Sequence, residues 1–267
     1  MANSTTRSLA VVTGASSGIG YELAKQFAEN GFDLVIAAEN AGITEAAQTL
    51  QTLGAQVESV QVDLATYDGV ETLYSAIQAT GRPVDAIAIN AGVGVGGEFA
   101  GGTDLQDELK LINLNVVSSV HLAKRIVQDM VARGSGRILF TSSIAALMPG
   151  PFEAVYAASK SFLQSFSEAL RNELKDTGVT VTALQPGPTD TNFFHRADMD
   201  DTKAGASKKD DPAEVAQQGF EALMAGKDHI IAGSLKTKAQ GAMTNVLPAT
   251  ANAAQHRKQA EPGSADE

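Results

Sequence analysis

Leu9-Ala10-Val11-Val12-Thr13-Gly14-Ala15-Ser16-Ser17-Gly18-Ile19-Gly20 is the stretch that decides the fold. Four apolar residues of strand character run into a turn holding three glycines, and from Ile19 a helical pattern continues to Asn30, closed by Gly31. A strand that turns straight into a helix aims backbone N–H groups and the positive end of the helix dipole at an anion. Glycine lets a pyrophosphate approach with no Cβ in the way. Gly14, Gly18 and Gly20, with Ser16, Ser17 and Ile19 between them, are therefore candidate cofactor contacts. An isolated glycine trio is equally well explained by a tight turn that needs glycine for its backbone angles. Placed after the first strand of an alternating series, the phosphate reading prevails.

Outward from this turn, short β-rich runs alternate with longer helical patterns, which predicts βαβ units and a parallel sheet. The strand candidates are Leu9 to Val12, Leu34 to Ala37, Val57 to Val62, Ala86 to Asn90, Arg137 to Thr141, Val179 to Gln185 and His229 to Ala232, seven in all. Ile43 to Leu53 before Gly54, and Asp104 to Ala132 before Gly134, read as helices ending on a left-handed glycine. Asp211-Pro212 opens another, with Glu214 at its third position, that runs to Gly226. Nothing repeats internally and no linker divides the chain before residue 232, so 1–232 is predicted as one domain. Within it, residues 193–210 carry two aromatics and then Met199 amid charges and small residues, and read as a substrate flap. Residues 233–267 read as a tail, partly helical and then frayed.

Composition narrows the function. The 267 residues are 43% hydrophobic, ample for a core, and carry a net charge of −11 from 31 acidic and 20 basic side chains. A general attraction to nucleic acid or to an anionic membrane surface is not expected. With no cysteine there are no disulfides, thiolate nucleophiles or thiolate metal ligands, and four scattered histidines leave little for a metal centre. The apolar run after Arg7 is too short for a signal peptide or a membrane span, so a cytoplasmic protein is expected.

The end of the second strand is where an acid can hydrogen-bond the hydroxyls of an adenosine ribose. Glu39 is there, 19 residues beyond Gly20, and neighbouring Asn40, Ser16 and Ser17 offer no positive charge to a 2′-phosphate. This favours NAD(H) over NADP(H); a solvated glutamate at a strand end is the competing reading. Tyr156 and Lys160 are spaced i, i+4 near the start of a helical segment, on one face. A phenol, with its ordinary pKa of about 10, needs a nearby cation to work as an acid or base near neutrality, and Lys160 is the candidate.

Taken together, the Gly-x-x-x-Gly-x-Gly spacing, Tyr156-x-x-x-Lys160 and Ser143 just after the fifth strand resemble the short-chain dehydrogenase/reductase family over about residues 7 to 232. The resemblance implies a doubly wound Rossmann fold, with a seven-stranded parallel sheet and helices on both faces, and an NAD(P)-dependent oxidoreductase acting on an alcohol or a carbonyl. It assigns Ser143 to the substrate oxygen, gives Lys160 the nicotinamide ribose as well, and places the family's active-site asparagine at Asn115, with Asn113 the competing choice. Such an asparagine would hold a water that links Lys160 to solvent. Asp63 and Leu64 are implied adenine contacts. Asn90-Ala91-Gly92 matches the family's Asn-Ala-Gly element, in which Asn90 is expected to tie neighbouring strands. Pro186-Gly187-Pro188-Thr189-Asp190-Thr191 matches the segment that closes over the nicotinamide, where Thr189 and Thr191 offer hydroxyls. A homodimer or homotetramer is implied as well. Two rival functions remain: a sugar-nucleotide epimerase or dehydratase, which typically carries a longer C-terminal substrate domain, and a non-catalytic NAD(H) sensor, which need not keep Asn115, Ser143, Tyr156 and Lys160 together.

Overall fold

In the computed structural model, which describes residues 7–244 and 247–266, seven strands form one parallel sheet in the order β3-β2-β1-β4-β5-β6-β7. They are β1 (Ser8–Thr13), β2 (Phe32–Ala38), β3 (Val57–Gln61), β4 (Val84–Ile89), β5 (Gly136–Thr141), β6 (Val179–Pro186) and β7 (His229–Ala232). Each expected strand is present, most with their ends moved by one or two residues. The chain winds outward from β1 through β2 to β3, then crosses back to β4 and winds the other way. The carboxyl ends of β1 and β4 therefore flank the crevice where the order reverses, as the doubly wound arrangement requires.

Both faces of the sheet are covered, which is why its strands read as unbroken apolar runs and not as an alternation. On one side α1 (Gly18–Glu29), α2 (Gly42–Gln51) and α9 (Pro212–Met224) bury Leu23, Phe27, Leu50 and Phe220 against Ala10, Val12, Leu34 and Ile36. Phe27 meets Phe32 and Phe220 edge to face, both at 5.2 Å. On the other side α3 (Tyr67–Ala79), α5 (Ser118–Arg133) and α6 (Ala154–Glu173) pack Leu73, Leu122, Ile126 and Leu163 onto Leu9, Val11, Ile87 and Phe140. The glycines expected to close helices do so: Gly31, Gly54 and Gly134 all have positive φ, between +72° and +86°. Asp211 caps α9 as expected, its carboxylate accepting from the Ala213 N–H at 2.8 Å.

Two stretches differ from expectation. The long helix expected over Asp104–Ala132 is α4 (Leu105–Ile112) and α5 joined by a π-helical turn over Asn113–Val117, whose extra residue swings Asn115 into the interior. The tail from residue 233, expected to be partly helical and then frayed, is helical over α10 (Leu235–Thr244) and α11 (Ala249–Ala260) but folds back onto the domain where fraying was expected. It is held by long-range contacts. Asn252 donates to the Thr244 carbonyl at 2.9 Å, Ser264 accepts from the Lys203 N–H at 3.0 Å, and Ala260 is buried among Phe194, Ala197 and Met199. Residues 1–6 of the expected domain, and 245, 246 and 267 of the expected tail, lie outside the described residues. The flap region contains α7 (Phe193–Arg196) and α8 (Lys203–Ala206). Among the described residues no helix is long and apolar enough to cross a membrane, and no cluster of His, Asp and Glu could hold a metal ion.

Candidate active site

A single cleft of about 650 Å³ runs across the carboxyl ends of the strands. Its lining includes Gly14, Ser16, Ser17, Gly18, Ile19, Gly20, Glu39, Asp63, Leu64, Asn90, Ala91, Gly92, Ser143, Tyr156, Lys160, Pro186, Gly187, Thr189 and Thr191. Asn115 alone among the candidates stands behind the wall.

At the phosphate end, β1 passes into α1 through Gly14 and Gly18, whose φ values of +69° and +57° suit glycine. Gly20 is needed for close packing: a Cβ there would lie 2.2 Å from the Gly14 carbonyl oxygen. Ser17 stands at the N-cap of α1 with extended backbone, but its side chain accepts from none of the helix N–H groups, and the first turn holds no acid. The first N–H groups of α1 are therefore left to the cleft, so the loop fits a pyrophosphate on an observation independent of its spacing.

Asn90 fastens the floor. Its amide nitrogen donates to the Thr13 carbonyl at 3.0 Å, and its amide oxygen accepts from Thr141 Oγ1 at 3.0 Å, so one side chain joins the ends of β1, β4 and β5. Thr13 Oγ1 in turn accepts from the N–H groups of Asn90 and Ala91. This is the strand-tying role expected for Asn90.

The end of the cleft where Glu39 stands holds the positive charge that its sequence neighbours lack. Glu39 Oε1 accepts from Arg196 Nη2 at 2.7 Å, and Lys110 Nζ stands 3.7 Å from Oε2. Arg196 arrives on α7 and Lys110 on α4, so two cations reach this acid from distant elements. Sequence reading missed both because neither is near Glu39 along the chain.

At the other end Tyr156 and Lys160 stand on the first turns of α6, both buried, with the lysine Nζ 5.7 Å from the centre of the phenol ring. Phe193 covers the ring at 5.2 Å. Burial pushes the phenol up, the nearby Glu153 carboxylate pushes it further, and a hydrogen bond with Ser143 acts in the opposite direction. Lys160 donates to the Thr141 carbonyl at 2.9 Å, and burial brings its pKa down to about 8. The expected cation is thus in place, but its own burial weakens its charge. Ser143 caps the 3-10 turn Ile144–Leu147, accepting from the Ala145 N–H at 3.1 Å, which fixes its hydroxyl at the rim of β5 beside the phenol.

Asn115 is fully buried. Its amide nitrogen donates to Val93 O and Ser159 Oγ, and its oxygen accepts from the Val93 N–H, each at 3.0 Å. The amide nitrogen is committed to backbone and serine, while the oxygen keeps a second lone pair. The side chain acts as a brace beneath Gly92, where a Cβ would lie 3.1 Å from Asn115 Oδ1 and 3.3 Å from Lys160 Nζ.

The end of the cleft expected to take the nicotinamide is closed by the turn after β6. A Cβ on Gly187 would strike Thr237 of α10 at 2.5 Å, and Thr237 Oγ1 donates to Asp210 at 2.5 Å, so the C-terminal segment locks this turn to the flap. Met148, Phe193 and Phe194 give the adjoining wall an apolar surface, whereas Met199 of the flap is buried with Phe194, Ala197 and Ala260. From α11 come His256 and Gln259, and from α10 Gln240 and Met243. No local motif marks these residues.

The chain matches the short chain dehydrogenase family model over residues 8–202. It is 30% identical over 218 residues to a Salmonella typhi protein named NADP-dependent 3-hydroxy acid dehydrogenase YdfG, with 80% of this chain and 87% of that one covered. It is 32% identical over 233 residues to the mouse dehydrogenase/reductase SDR family member 7B, covering 83% and 72%. Among solved structures, a short-chain dehydrogenase from Sphingobium yanoikuyae in complex with NADPH superposes with a TM-score of 0.78 at 27% identity, covering 84% of this chain and 87% of that one. A Burkholderia phymatum short-chain dehydrogenase/reductase in complex with NAD gives 0.78 at 25% identity, covering 90% and 92%.

Proposed function

The chain belongs to the short-chain dehydrogenase family, and from that premise we propose that it interconverts a secondary alcohol and a ketone or other carbonyl compound, with Tyr156 as general acid and base and NAD(H) favoured over NADP(H). The observation that carries this reading is that the phosphate loop, Ser143, and the pair Tyr156 and Lys160 open onto one cleft from three separate parts of the chain.

A nicotinamide bound there supplies the hydride donor or acceptor. The rest falls to side chains of this chain. Ser143 hydrogen-bonds the substrate oxygen as charge grows on it, and Tyr156 Oη delivers a proton to that oxygen in reduction or takes one in oxidation. Lys160, as the ammonium below about pH 8, favours the ionised phenol and offers a donor to the nicotinamide ribose. Phe193 and the turn after β6 keep bulk water from the reacting centre.

Glu39 supports the preference for NAD(H), because its carboxylate accepts from a ribose hydroxyl and repels a 2′-phosphate. The two cations beside it moderate the preference. Ile144, Ala145, Met148 and Phe193 favour a mostly apolar, medium-sized substrate. The exposed stripe of Leu105, Leu109 and Ile112 on α4, with Phe162 on α6, supports assembly as a homodimer or homotetramer through these helices.

The test is a panel of secondary alcohols and ketones assayed with NAD and NADP by nicotinamide absorbance, with Tyr156→Phe beside the wild type. Turnover that falls by ~10² or more in the variant, with NADH affinity retained, is the expected result for a lost acid/base. Wild-type turnover in Tyr156→Phe would overturn the mechanism.

A further inference from the structure

Asp210, the last residue of the flap, is tied to the turn after β6 by its backbone and to α10 by its side chain. Its N–H donates to the Pro188 carbonyl and its own carbonyl accepts from the Asp190 N–H, both at 2.8 Å. It thereby pairs with Thr189 in parallel register, like one more residue of sheet. Its carboxylate oxygen Oδ2 accepts from Thr237 Oγ1 at 2.5 Å. The chain leaving β7 passes directly against this carboxylate, since a Cβ on Gly233 would lie 2.1 Å from the same oxygen. Gly233 is held there by Gln218 of α9, whose side-chain oxygen accepts from its N–H at 3.1 Å.

Thr237 meets the same turn at another point. Its methyl and hydroxyl fill the space that a side chain on Gly187 would need, at 2.5 Å and 2.9 Å from such a Cβ. It is 5% exposed, and Ser234 at the head of α10 steadies it: Ser234 Oγ accepts from the Thr237 N–H at 3.4 Å and stands 3.3 Å from Oγ1. Gly187, Pro188, Thr189, Asp210 and Thr237 all line the cleft. The turn is therefore gripped along its backbone by Asp210 and at Gly187 by Thr237. One hydrogen bond joins the two grips, from a buried hydroxyl to a carboxylate, and the charged acceptor makes it stronger than a neutral pair. Pro186 and Pro188 have fixed φ, so a shift at either grip carries the turn as a body.

We propose that Thr237 and Asp210 are positioning residues that set the height of this turn over the nicotinamide, so that presentation of the reacting ring depends on α10. This rests on the reading of the cleft as a nicotinamide site with the turn closing over the ring. Neither side chain takes part in proton or hydride transfer; both act through the backbone of the turn. A misplacement of about 1 Å at a reacting centre costs on the order of a hundredfold in rate. The role gives a part in the reaction to α10, which lies beyond residues 8–202, the span of the family match.

Three substitutions test it. Thr237→Val keeps the shape of the side chain and removes the donor, Asp210→Ala removes the acceptor and keeps the backbone pairing, and Thr237→Ser keeps the donor. For these and for the double variant Thr237→Val/Asp210→Ala, NADH affinity is measured by fluorescence and ADP-ribose affinity by calorimetry, beside steady-state turnover. ADP-ribose has every part of the cofactor except the nicotinamide, so it reports the adenosine and pyrophosphate contacts alone. Thr237→Val and Asp210→Ala should each weaken NADH about tenfold, lower kcat by about tenfold or more, and leave ADP-ribose affinity unchanged. The double variant should be no worse than either single one, because both act through one bond. Thr237→Ser should recover most of the NADH affinity and of the turnover. Were Thr237→Val to fold poorly, Asp210→Ala against the wild type would still decide. An unmoved ratio of NADH to ADP-ribose affinity, whether both weaken or neither does, would overturn the proposal and leave the contact a structural clasp, and losses that add in the double variant would overturn action through one bond. A protein that shows the split in affinity yet no nicotinamide-dependent turnover would sink the oxidoreductase reading and leave the positioning role standing.

Discussion

Replacing Lys160 by Met should make the protein more stable at neutral pH while removing its chemistry. Lys160 is 4% exposed, and burial lowers its pKa from 10.5 to about 8. Between these values the folded chain binds fewer protons than the unfolded one, so stability rises with pH across that window. Below about pH 8 the folded state keeps a buried ammonium at a cost of ~3 kcal/mol, taking about 1.4 kcal/mol for each pKa unit. Methionine has a similar length and no charge. It forfeits the 2.9 Å hydrogen bond to the Thr141 carbonyl and leaves that oxygen unpaired, which costs about 1–2 kcal/mol. The variant should therefore gain about 1–2 kcal/mol at pH 7 and lose a similar amount by pH 10.5, where the wild-type lysine is neutral in the folded state and half protonated in the unfolded one. Urea unfolding followed by circular dichroism at pH 7 and pH 10.5, beside turnover at neutral pH, measures both sides. A destabilisation of equal size at the two pH values would refute the reasoning, because the charge of Lys160 would then carry no burial penalty.

Arg196→Gln removes one of the two cations that balance Glu39, so the ratio of kcat/KM with NAD to that with NADP should rise about fivefold at low salt and less at high salt; an unchanged ratio would exclude the arginine from cofactor choice. Gly20→Ala puts a Cβ 2.2 Å from the Gly14 carbonyl oxygen, and the displaced loop should weaken NADH binding by at least about tenfold in a fluorescence titration, with undiminished affinity counting against the phosphate cradle. Asp33→Ala, far from the cleft, strips a buried carboxylate that accepts from Arg82 at 2.8 Å and from the Gln56 N–H at 2.9 Å; it should lower unfolding free energy by about 3–5 kcal/mol and leave NADH affinity unchanged, and a loss under about 1 kcal/mol would show the network to be dispensable.

The architecture was legible because its signals are local. Seven apolar runs, a glycine turn after the first of them and glycines at three helix ends are properties of contiguous residues, and the backbone angles they dictate survive into the structure. Tyr156 and Lys160 were legible for the same reason, since four residues of helix bring them to one face whatever surrounds them. The π-helical turn at Asn113–Val117 left no such mark, because what holds it is the buried amide of Asn115 against Val93 and Ser159.

From the sequence alone, then, came the doubly wound sheet, the glycine turn that opens α1 and the identity of the candidate tyrosine, lysine and serine. Tertiary structure decided how those groups are charged and who faces them. Arg196 meets Glu39 across 157 residues of chain, and His256 reaches Pro151 across 105, by contacts with no periodicity to reveal them. The residues beyond 233 look polar and weakly patterned along the chain, yet α11 buries Ala260 and walls the cleft because the flap and the turn after β6 offer it a surface. The lowered pKa of Lys160 and the raised pKa of Tyr156 also arise there. Desolvation is set by what is packed around a group in space, and neighbours in sequence do not specify it.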